Sequence, residues 1–425
     1  MRAAANPAGE AAPRRAGGRR RAPRARPLRL RWLAAAIVLT ALPFAYPLFR
    51  PDLVGGPLPG AAGVMGLLGA LAMWWQVLLG ARQVSARFSA DRGRLVTAHV
   101  WLGAGGAFLV LLHPLLEMVV DRHGPVYLVA FDFTWVESTH TSLGRLALLM
   151  FVLVWLSSTL LRALARHRLW QRVHYLSYPV VALVFLHAYG IGTFLAELPW
   201  LRAYWLGLAA AFAGVALWRV VSPLRAARYR LAGVRRAAGG VTVYRLRGTG
   251  VHPLPGQFCH LRTALLERSH PFSVVRARDG ELVFAIKDAG PFTARLRELP
   301  LGATVLVDGP YGTFTREAQL AAGPVVLVAG GIGITPFVEL ALRHPDAVLF
   351  HAGRHPSDLG SRLGPRYHFA HPDERRLSAA RVAGHAPGDA AYFVCGGPGF
   401  VTGMVRDLRA HGVPAGRLFS ERFEW

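Results

Sequence analysis

Two stretches of the sequence, HVWLGAGGAFLVLLHPLL (99–116) and WQRVHYLSYPVVALVFLHAYG (170–190), decide the fold of the first half of the chain. Each carries two histidines within an apolar run that approaches the roughly 20 residues needed to cross a bilayer. Ionisable side chains at membrane depth are costly, so they are functional candidates by default. The two stretches therefore predict transmembrane helices that place histidines inside a membrane.

The four histidines are matched in depth. At a rise of about 1.5 Å per residue, the two histidines of each stretch are separated by roughly 20 Å along the helix. If both helices run in the same direction, His99 lies level with His174, and His113 lies level with His187. Paired imidazoles at two levels are what two stacked bis-histidine haems require. We therefore predict four metal ligands; the alternative is that they are hydrogen-bonded polar residues at helix contacts.

Helix periodicity favours one of the two histidine pairs and conflicts with the other. His99 and His113 return to within about 40° of the same helix face, whereas His174 and His187 lie about 140° apart on an ideal helix. Pro179 falls between the second pair. Because proline kinks or interrupts a helix, we expect a distortion there that restores the alignment.

The rest of the first half repeats the apolar pattern. The net charge is +25 although 53% of the residues are hydrophobic, a combination that fits either nucleic-acid binding or a membrane protein. Arginines crowd the connecting segments on one side and acids those on the other, so the positive-inside rule explains the charge, excludes nucleic acid, and places both termini in the cytoplasm. His123 and His140 fall in an outer connecting segment and are interpreted as surface residues. The six apolar runs are approximately 32–49, 61–81, 95–116, 144–161, 173–193 and 201–221.

The character of the sequence changes after Pro223. Short β-rich runs separated by turn residues predict a small antiparallel barrel, and from residue 324 a strand–turn–helix alternation predicts a parallel α/β sheet. The two cysteines, Cys259 and Cys395, exclude a disulfide framework and an all-cysteine metal site. The predicted units are a disordered basic tail (1–31), a six-helix all-α transmembrane bundle (32–222), a β-barrel domain (223–322) and an α/β domain (323–425).

The membrane stretches, together with GRLALLMFVLVWLSSTLLR (144–162), resemble the ferric reductase-like transmembrane domain shared by NADPH oxidases and ferric-chelate reductases. The resemblance implies two b-type haems. It assigns the inner haem to His99 and His174 and the outer haem to His113 and His187. Arg94 and Arg172 lie where they can pair with propionates of the inner haem, although positive-inside bias explains them equally well. The bundle is accordingly expected to be an integral, multi-pass part of the cell membrane.

The segments GQF (256–258) and HPFS (270–273) resemble the FAD domain of ferredoxin reductases. The resemblance implies that Phe272 covers the isoalloxazine, that Ser273 reaches its N5 region as a catalytic residue, and that His270 lies towards the ribityl-diphosphate arm. GPFT (290–293) opens a short helix whose N–H groups can meet the FAD diphosphate. The predicted FAD contacts are His270, Pro271, Phe272, Ser273, Gly290 and Thr293.

A glycine-rich turn, GGIGITP (330–336), lies between a strand and a helix, as a dinucleotide loop requires, although such turns are often purely structural. CGGPGF (395–400) resembles the second nicotinamide segment of the same reductases, which implies that Cys395 lies beside the nicotinamide; otherwise it is a small buried hydrophobe. Arg354 follows a strand where a 2′-phosphate partner can sit, which favours NADPH over NADH. The predicted nicotinamide contacts are Gly330, Gly331, Gly333, Thr335, Pro336, Arg354, Cys395, Gly396 and Gly397.

The chain ends in ERFEW, and the related reductases place a terminal aromatic against the flavin. Trp425 or Phe423 fits that role, with Trp425 named as a catalytic residue together with Ser273 and Cys395. Flavin stands between two-electron NAD(P)H and one-electron haem because it handles both. The sequence thus predicts electron transfer across the membrane to a ferric chelate or dioxygen, or alternatively to a quinone or a protein partner.

Overall fold

A computed structural model of the chain describes residues 30–81, 84, 92–160, 167–265, 267–312, 314, 318, 323–373, 376–386 and 389–423. Within these ranges, six helical stretches are long and apolar enough to cross a membrane, as the sequence predicts. Residues 1–29 of the predicted basic tail lie outside the described residues. The helices of this half are α1 (Leu30–Ala45), α2 (Pro57–Gly80), α3 (Arg92–Val120), α4 (Val136–Thr159), α5 (His167–His174), α6 (Ser177–Ile191), α7 (Thr193–Glu197) and α8 (Pro199–Val221).

Helix α4 begins at Val136, earlier than the apolar run that starts near residue 144. Its first two turns carry polar side chains, which conceal the helix from a search for apolar runs. The turn is nonetheless capped, because the Trp135 N–H donates to the Ser138 hydroxyl (3.1 Å). His140 therefore lies in a helix, and the expectation that it lies in a connecting segment was wrong.

The fifth membrane crossing is broken between α5 and α6, at Tyr175 and Leu176. Pro179 has no N–H to donate to the carbonyl four residues earlier, which belongs to Tyr175. That carbonyl instead accepts the Tyr178 N–H (3.2 Å) in a tighter turn. The distortion expected between His174 and His187 is thus present, one helical turn before the proline.

Helix α2 is the centre of the membrane bundle. It is 72% buried, whereas the other crossings are 17% or 22% buried. Its Trp74 indole donates to the Leu208 carbonyl (2.9 Å). At Gly106 of α3, an added Cβ would lie 2.9 Å from the Cβ of Ala72, so these two helices approach as closely as small residues permit.

The second half begins with a closed antiparallel barrel in the order β1-β2-β5-β4-β3-β6. Its interior is filled by the inward-facing residues of its strands, including the buried Tyr229, Tyr244 and Phe284. A short helix, α9 (Pro291–Glu298), follows the fifth strand. The strands are β1 (Ala227–Ala237), β2 (Val241–Gly248), β3 (Phe258–Arg262), β4 (His270–Arg278), β5 (Glu281–Lys287) and β6 (Thr304–Tyr311).

The chain then forms a five-stranded parallel sheet in the order β11-β10-β7-β8-β9. The predicted fold class, a six-helix membrane part followed by an antiparallel barrel and a parallel-sheet domain, is confirmed. The remaining elements are β7 (Val325–Gly330), α10 (Val338–Arg343), β8 (Val348–Ala352), α11 (Asp358–Ser361), β9 (Tyr367–Ala370), α12 (Ala379–Gly384), β10 (Ala391–Gly396), α13 (Pro398–Ala410) and β11 (Leu418–Arg422).

The buried residues divide into clusters that separate the two halves of the chain. One cluster contains only residues between Leu33 and Phe212. A second joins barrel residues such as Val243 and Val275 to Phe337 and its neighbours in the parallel sheet. The barrel and the sheet therefore share a core with each other but not with the membrane helices.

We expect residues 223–425 to form a soluble, cooperatively folding fragment, whereas residues 323–425 alone will expose the apolar surface that the barrel covers. Thermal melts of both fragments, followed by circular dichroism, test this. The matched control is the full chain in detergent. A cooperative melt of 323–425 with no gain from adding the barrel would contradict the shared core.

Candidate functional site

The membrane half brings the four histidines together in two pairs. The rings of His99 and His174 have centroids 6.1 Å apart, and those of His113 and His187 have centroids 6.4 Å apart. The pairing is the one that the depth argument predicts. The paired rings are tilted by 59° and 66°.

The ring separations suit a haem iron held between two imidazoles. An iron–nitrogen bond of about 2 Å and a ring radius of about 1.2 Å would place the centroids of two imidazoles on opposite sides of one iron about 6.4 Å apart. Among the described residues, no group of three or more histidine, cysteine or carboxylate side chains is placed to hold a metal ion. Two-ligand sites are what axial ligation of a haem uses, since the porphyrin supplies the other four nitrogens.

The outer-level histidines each have one ring nitrogen bonded to a backbone carbonyl. His113 Nδ1 lies 2.9 Å from the Ala62 carbonyl, and His187 Nδ1 lies 2.9 Å from the His140 carbonyl. A carbonyl only accepts, so Nδ1 carries the proton in both rings and Nε2 has a free lone pair. Second bonds of this kind fix the tautomer and the orientation of metal-ligating histidines.

At the other level, His174 Nδ1 lies 3.1 Å from the Ser158 hydroxyl. That hydroxyl donates to the Val154 carbonyl (2.8 Å), so it accepts from Nδ1, which carries the proton. Beside the His99 ring, the side-chain amide of Gln76 donates to the His99 carbonyl (3.0 Å). Ser158 and Gln76 were missed in the sequence, which gives no signal of contacts between distant helices.

Glycines provide the space for the rings. A Cβ at Gly144 would lie 2.4 Å from His187 Nδ1, and one at Gly66 would lie 3.0 Å from the His113 ring. A Cβ at Gly190 would lie 2.2 Å from the His140 ring. The half-buried His140 side chain therefore packs against α6, and its backbone carbonyl accepts from His187.

A cleft with about 600 Å³ of empty space, part of it open to solvent, lies beside His99 and His174. Arg219 of α8 lines it and donates to the Gly80 carbonyl (3.1 Å). Of the two predicted propionate partners, Arg172 is exposed and does not line this cleft, and the side chain of Arg94 lies outside the described residues. Among the described residues that line this cleft, Arg219 is the arginine.

In the barrel, HPFS forms the start of β4, opposite β3. His270 stacks on Phe292 of α9 with ring centroids 4.2 Å apart, and Phe272 lies 5.8 Å from the same ring. Ser273 is buried and is paired in register with Phe258. Burial lowers the pKa of His270, so its imidazole is neutral at pH 7. The predicted flavin residues thus lie along one strand and the adjoining helix, with Pro271 between them.

Helix α9 begins after Gly290, which has a φ of 108° that favours glycine. Thr293 is buried, accepts the Ala289 N–H (2.9 Å) and donates to the Gly290 carbonyl (2.9 Å). The hydroxyl thus donates one hydrogen bond and accepts another within the turn. Its side chain therefore shapes the loop, and the N–H groups at the start of α9 are the groups available to an anion.

The two segments predicted to bind nicotinamide meet at the C-terminal ends of β7 and β10, which are neighbours in the sheet. A Cβ at Gly333 would lie 2.3 Å from the Cys395 carbonyl, and one at Gly330 would lie 2.5 Å from the Phe400 ring. Gly331 has a φ of +56°, and Gly396 a φ of +157°. The glycines are thus required by close backbone approach as well as by the turn.

The remaining residues predicted to contact the nicotinamide nucleotide or the flavin differ in their burial and in their hydrogen bonds. Thr335 is buried with its hydroxyl bonded to the Ile332 carbonyl (3.0 Å), directly before Pro336, so it shapes the turn. Arg354 is exposed beyond β8. Trp425 lies outside the described residues, whereas the N–H of Phe423 donates to the Gly396 carbonyl (2.9 Å), beside Gly397.

Cys395 is fully buried at the end of β10, and burial raises the pKa of its thiol well above the usual value. Burial likewise raises the pKa of Cys259 to about 12. Both groups are neutral thiols at physiological pH. This agrees with Cys395 as a small buried residue whose backbone adjoins the glycine turn.

Residues 65–185 match the family described as ferric reductase like transmembrane component. A probable dihydroorotate dehydrogenase B (NAD(+)) electron transfer subunit of Pyrococcus abyssi (strain GE5 / Orsay) is 36% identical over 110 residues, 25% of this chain and 41% of that protein. The toluate 1,2-dioxygenase electron transfer component of Pseudomonas putida is 26% identical over 204 residues, 40% of this chain and 58% of that protein. The chain spans less than two thirds of either relative.

Two solved structures are similar at low TM-score. The flavohemoglobin from Malassezia yamatoensis gives a TM-score of 0.43 at 16% identity, over 88% of this chain and 98% of that one. A ferredoxin reductase in carbazole 1,9a-dioxygenase gives 0.39 at 20% identity, over 47% and 69%. The fold assignment itself rests on the strand order and register described above.

The chain thus joins a segment that matches the ferric reductase like transmembrane component to an antiparallel barrel and a parallel sheet.

Both cysteines should resist alkylation in the native protein. At pH 8 the raised pKa values keep them as buried thiols, so iodoacetamide labelling should be on the order of a hundredfold slower than in denatured protein. Mass spectrometry of the labelled peptides measures the two rates. Denatured protein, labelled at both positions, is the control. Native labelling of Cys395 at the denatured rate would instead identify an accessible thiolate beside the glycine turn.

Proposed function

We propose that this protein is a transmembrane oxidoreductase in which electrons pass from cytoplasmic NAD(P)H to FAD, then through two b-type haems to an acceptor outside. The observation that carries the proposal is the pairing of four histidines at two levels, with ring centroids 6.1 and 6.4 Å apart. A ferric reductase like domain at residues 65–185 supports it.

In this proposal His99 and His174 hold the inner haem, and His113 and His187 hold the outer haem. When bound, FAD would accept one hydride, which carries two electrons, and release the electrons singly, and each haem iron would carry one electron. The chain fixes the orientation of three of the rings by anchoring Nδ1 of His113, His174 and His187, as His187 is anchored to the His140 carbonyl. Arg219 supplies positive charge beside the inner pair for a haem carboxylate.

In the reductase half, Phe272 and His270 flank Phe292 and form an aromatic surface suited to the flavin and its ribityl arm. The N–H groups that open α9 face the FAD diphosphate, and Ser273 serves the N5 region. The glycine turns ending β7 and β10 bind NAD(P)H, with the backbone of Cys395 beside the nicotinamide. Arg354 favours NADPH, and Trp425 covers the flavin until nicotinamide displaces it.

The direction across the membrane follows from charge. The arginine-rich segments support a cytoplasmic position for both termini and the reductase half. The segment between α3 and α4 then lies outside, next to the outer histidine pair. With His113 and His187 both holding the outer haem, the acceptor, a ferric chelate or dioxygen, would receive the electron without binding to the iron.

A second acceptor class is favoured by one observation. The outer segment carries aromatic side chains that are largely exposed: Phe133 is 61% and Trp135 is 74% exposed, and Phe131 stacks on Phe133 at 6.3 Å. An apolar surface at the exit side suits a quinone or an apolar face of a protein partner. Turnover of purified protein with a quinone analogue, compared with ferric citrate and oxygen, ranks the acceptors.

We expect two low-spin haems per chain. Extracted haem should amount to about two per polypeptide. His113→Ala or His187→Ala should lower this to about one, because each variant removes one of the two histidines that hold the outer haem. His123→Ala, in the same outer part of the chain but outside the pairs, is the matched control and should keep both. A wild-type value near one, in protein that has retained all its haem through purification, would contradict the stacked arrangement.

Electrons should leave on the side opposite to NAD(P)H. In oriented vesicles, NADPH added on the cytoplasmic side should reduce a membrane-impermeant ferric chelate confined to the far side, and His187→Ala should abolish this. Reduction of a dye on the cytoplasmic side by the same variant should stay within about twofold of wild type, because that reaction needs only the flavin half. Reduction seen only with donor and acceptor on one side would rule out the transmembrane route.

A further inference from the structure

A buried histidine outside the predicted sites stands beside the glycine turn that ends β7. His351 is 3% exposed, lies near the C-terminal end of β8 and is paired in register with Ala329 of β7. A Cβ at Gly353 would lie 3.2 Å from its ring, so the chain closes tightly around it. The sequence signals it only as the last letter of DAVLFH, which is also what an ordinary strand residue would show.

Both ring nitrogens of His351 have partners whose chemistry fixes the protons. Nε2 lies 3.0 Å from the Gly331 carbonyl, which only accepts, so Nε2 carries the proton. Nδ1 lies 2.7 Å from the Tyr367 hydroxyl and accepts its proton. The Tyr367 oxygen in turn accepts the Ser357 N–H (3.0 Å). Burial lowers the pKa of His351, which agrees with a neutral ring at pH 7.

This chain of bonds controls one peptide group of the turn. In a trans peptide the carbonyl and the following N–H point in opposite directions. The Gly331 carbonyl is held towards His351, so the Ile332 N–H is held away from it. Gly331 is a glycine at a φ of +56°, which leaves that peptide free to flip unless something holds it.

We propose that His351 is a positioning residue for the nicotinamide nucleotide: by holding the Gly331 carbonyl, it keeps the Ile332 N–H turned towards the nucleotide diphosphate. Backbone N–H groups of glycine-rich turns are the usual donors to a diphosphate, and a flipped peptide would present a carbonyl oxygen to it instead. The inference rests on the proposed function of this turn and adds a residue that does not itself touch the nucleotide. Tyr367 has the same role one bond further away.

The test uses the full-length protein and three variants. His351→Leu removes both bonds at similar volume, His351→Gln retains an N–H donor, and Tyr367→Phe removes the hydroxyl alone. The Kd of ADP-ribose, which carries the diphosphate without nicotinamide, is measured by titration calorimetry. We expect it to rise about tenfold in the leucine variant and about threefold in the phenylalanine variant, with the glutamine variant close to wild type.

Steady-state dye reduction provides the second readout. The KM for NADPH and for NADH should rise with the Kd, while kcat at saturation stays within about twofold, because the residue acts on binding and not on the reacting atoms. His368→Leu is the matched control: His368 is on β9 next to Tyr367 and stacks on Phe350 at 4.9 Å. Its Kd and KM should equal those of wild type.

A folded His351→Leu variant with the wild-type Kd overturns the proposal. If that variant loses its thermal transition, Tyr367→Phe decides, and a Kd equal to wild type again overturns it. A fall in kcat without a change in Kd does so as well. If wild-type protein itself neither binds ADP-ribose nor oxidises NAD(P)H, the proposed function of the turn fails first, which is a distinguishable result.

Discussion

The membrane half depends on one constraint: an imidazole placed among apolar helices carries an N–H that lipid cannot satisfy. The chain meets it with groups from neighbouring helices, the carbonyls of Ala62 and His140 and the Ser158 hydroxyl. An unmade bond of this kind costs about 1–3 kcal/mol, so each bond also fixes where its ring points. The orientation of these rings within the two pairs follows from these bonds.

Close helix approach is the condition for those bonds. Gly66 and Gly144 remove the side chains that would otherwise occupy the positions of the His113 and His187 rings. The break between α5 and α6 rotates His187 relative to His174, which an unbroken helix would direct to different faces. Small residues and one interrupted helix therefore allow the helices to approach closely enough for the histidine rings to form their hydrogen bonds.

The reductase half uses a different constraint, the convergence of strand ends in a parallel sheet. Neighbouring strands β7, β8 and β10 end at the same edge, so three loops distant in sequence share one place. The glycine turn packs on the Cys395 backbone on one side and is held by His351 on the other. Because the barrel and the sheet share a buried cluster, the flavin and nicotinamide segments are parts of one unit.

The sequence by itself determined the six apolar crossings, the change to a barrel and parallel sheet, and the depth of the four histidines. These follow from composition and period, which are local properties. Only the tertiary structure decided which groups anchor each ring, that His140 supports His187, that Arg219 reaches the inner pair, and that His351 holds the turn. Those contacts join residues up to 139 positions apart, as between Arg219 and Gly80, and no local pattern encodes a contact between distant segments. The break at Tyr175 was predicted in part: Pro179 in the sequence indicates a distortion, but only the hydrogen bonds of the turn show at which residue it occurs.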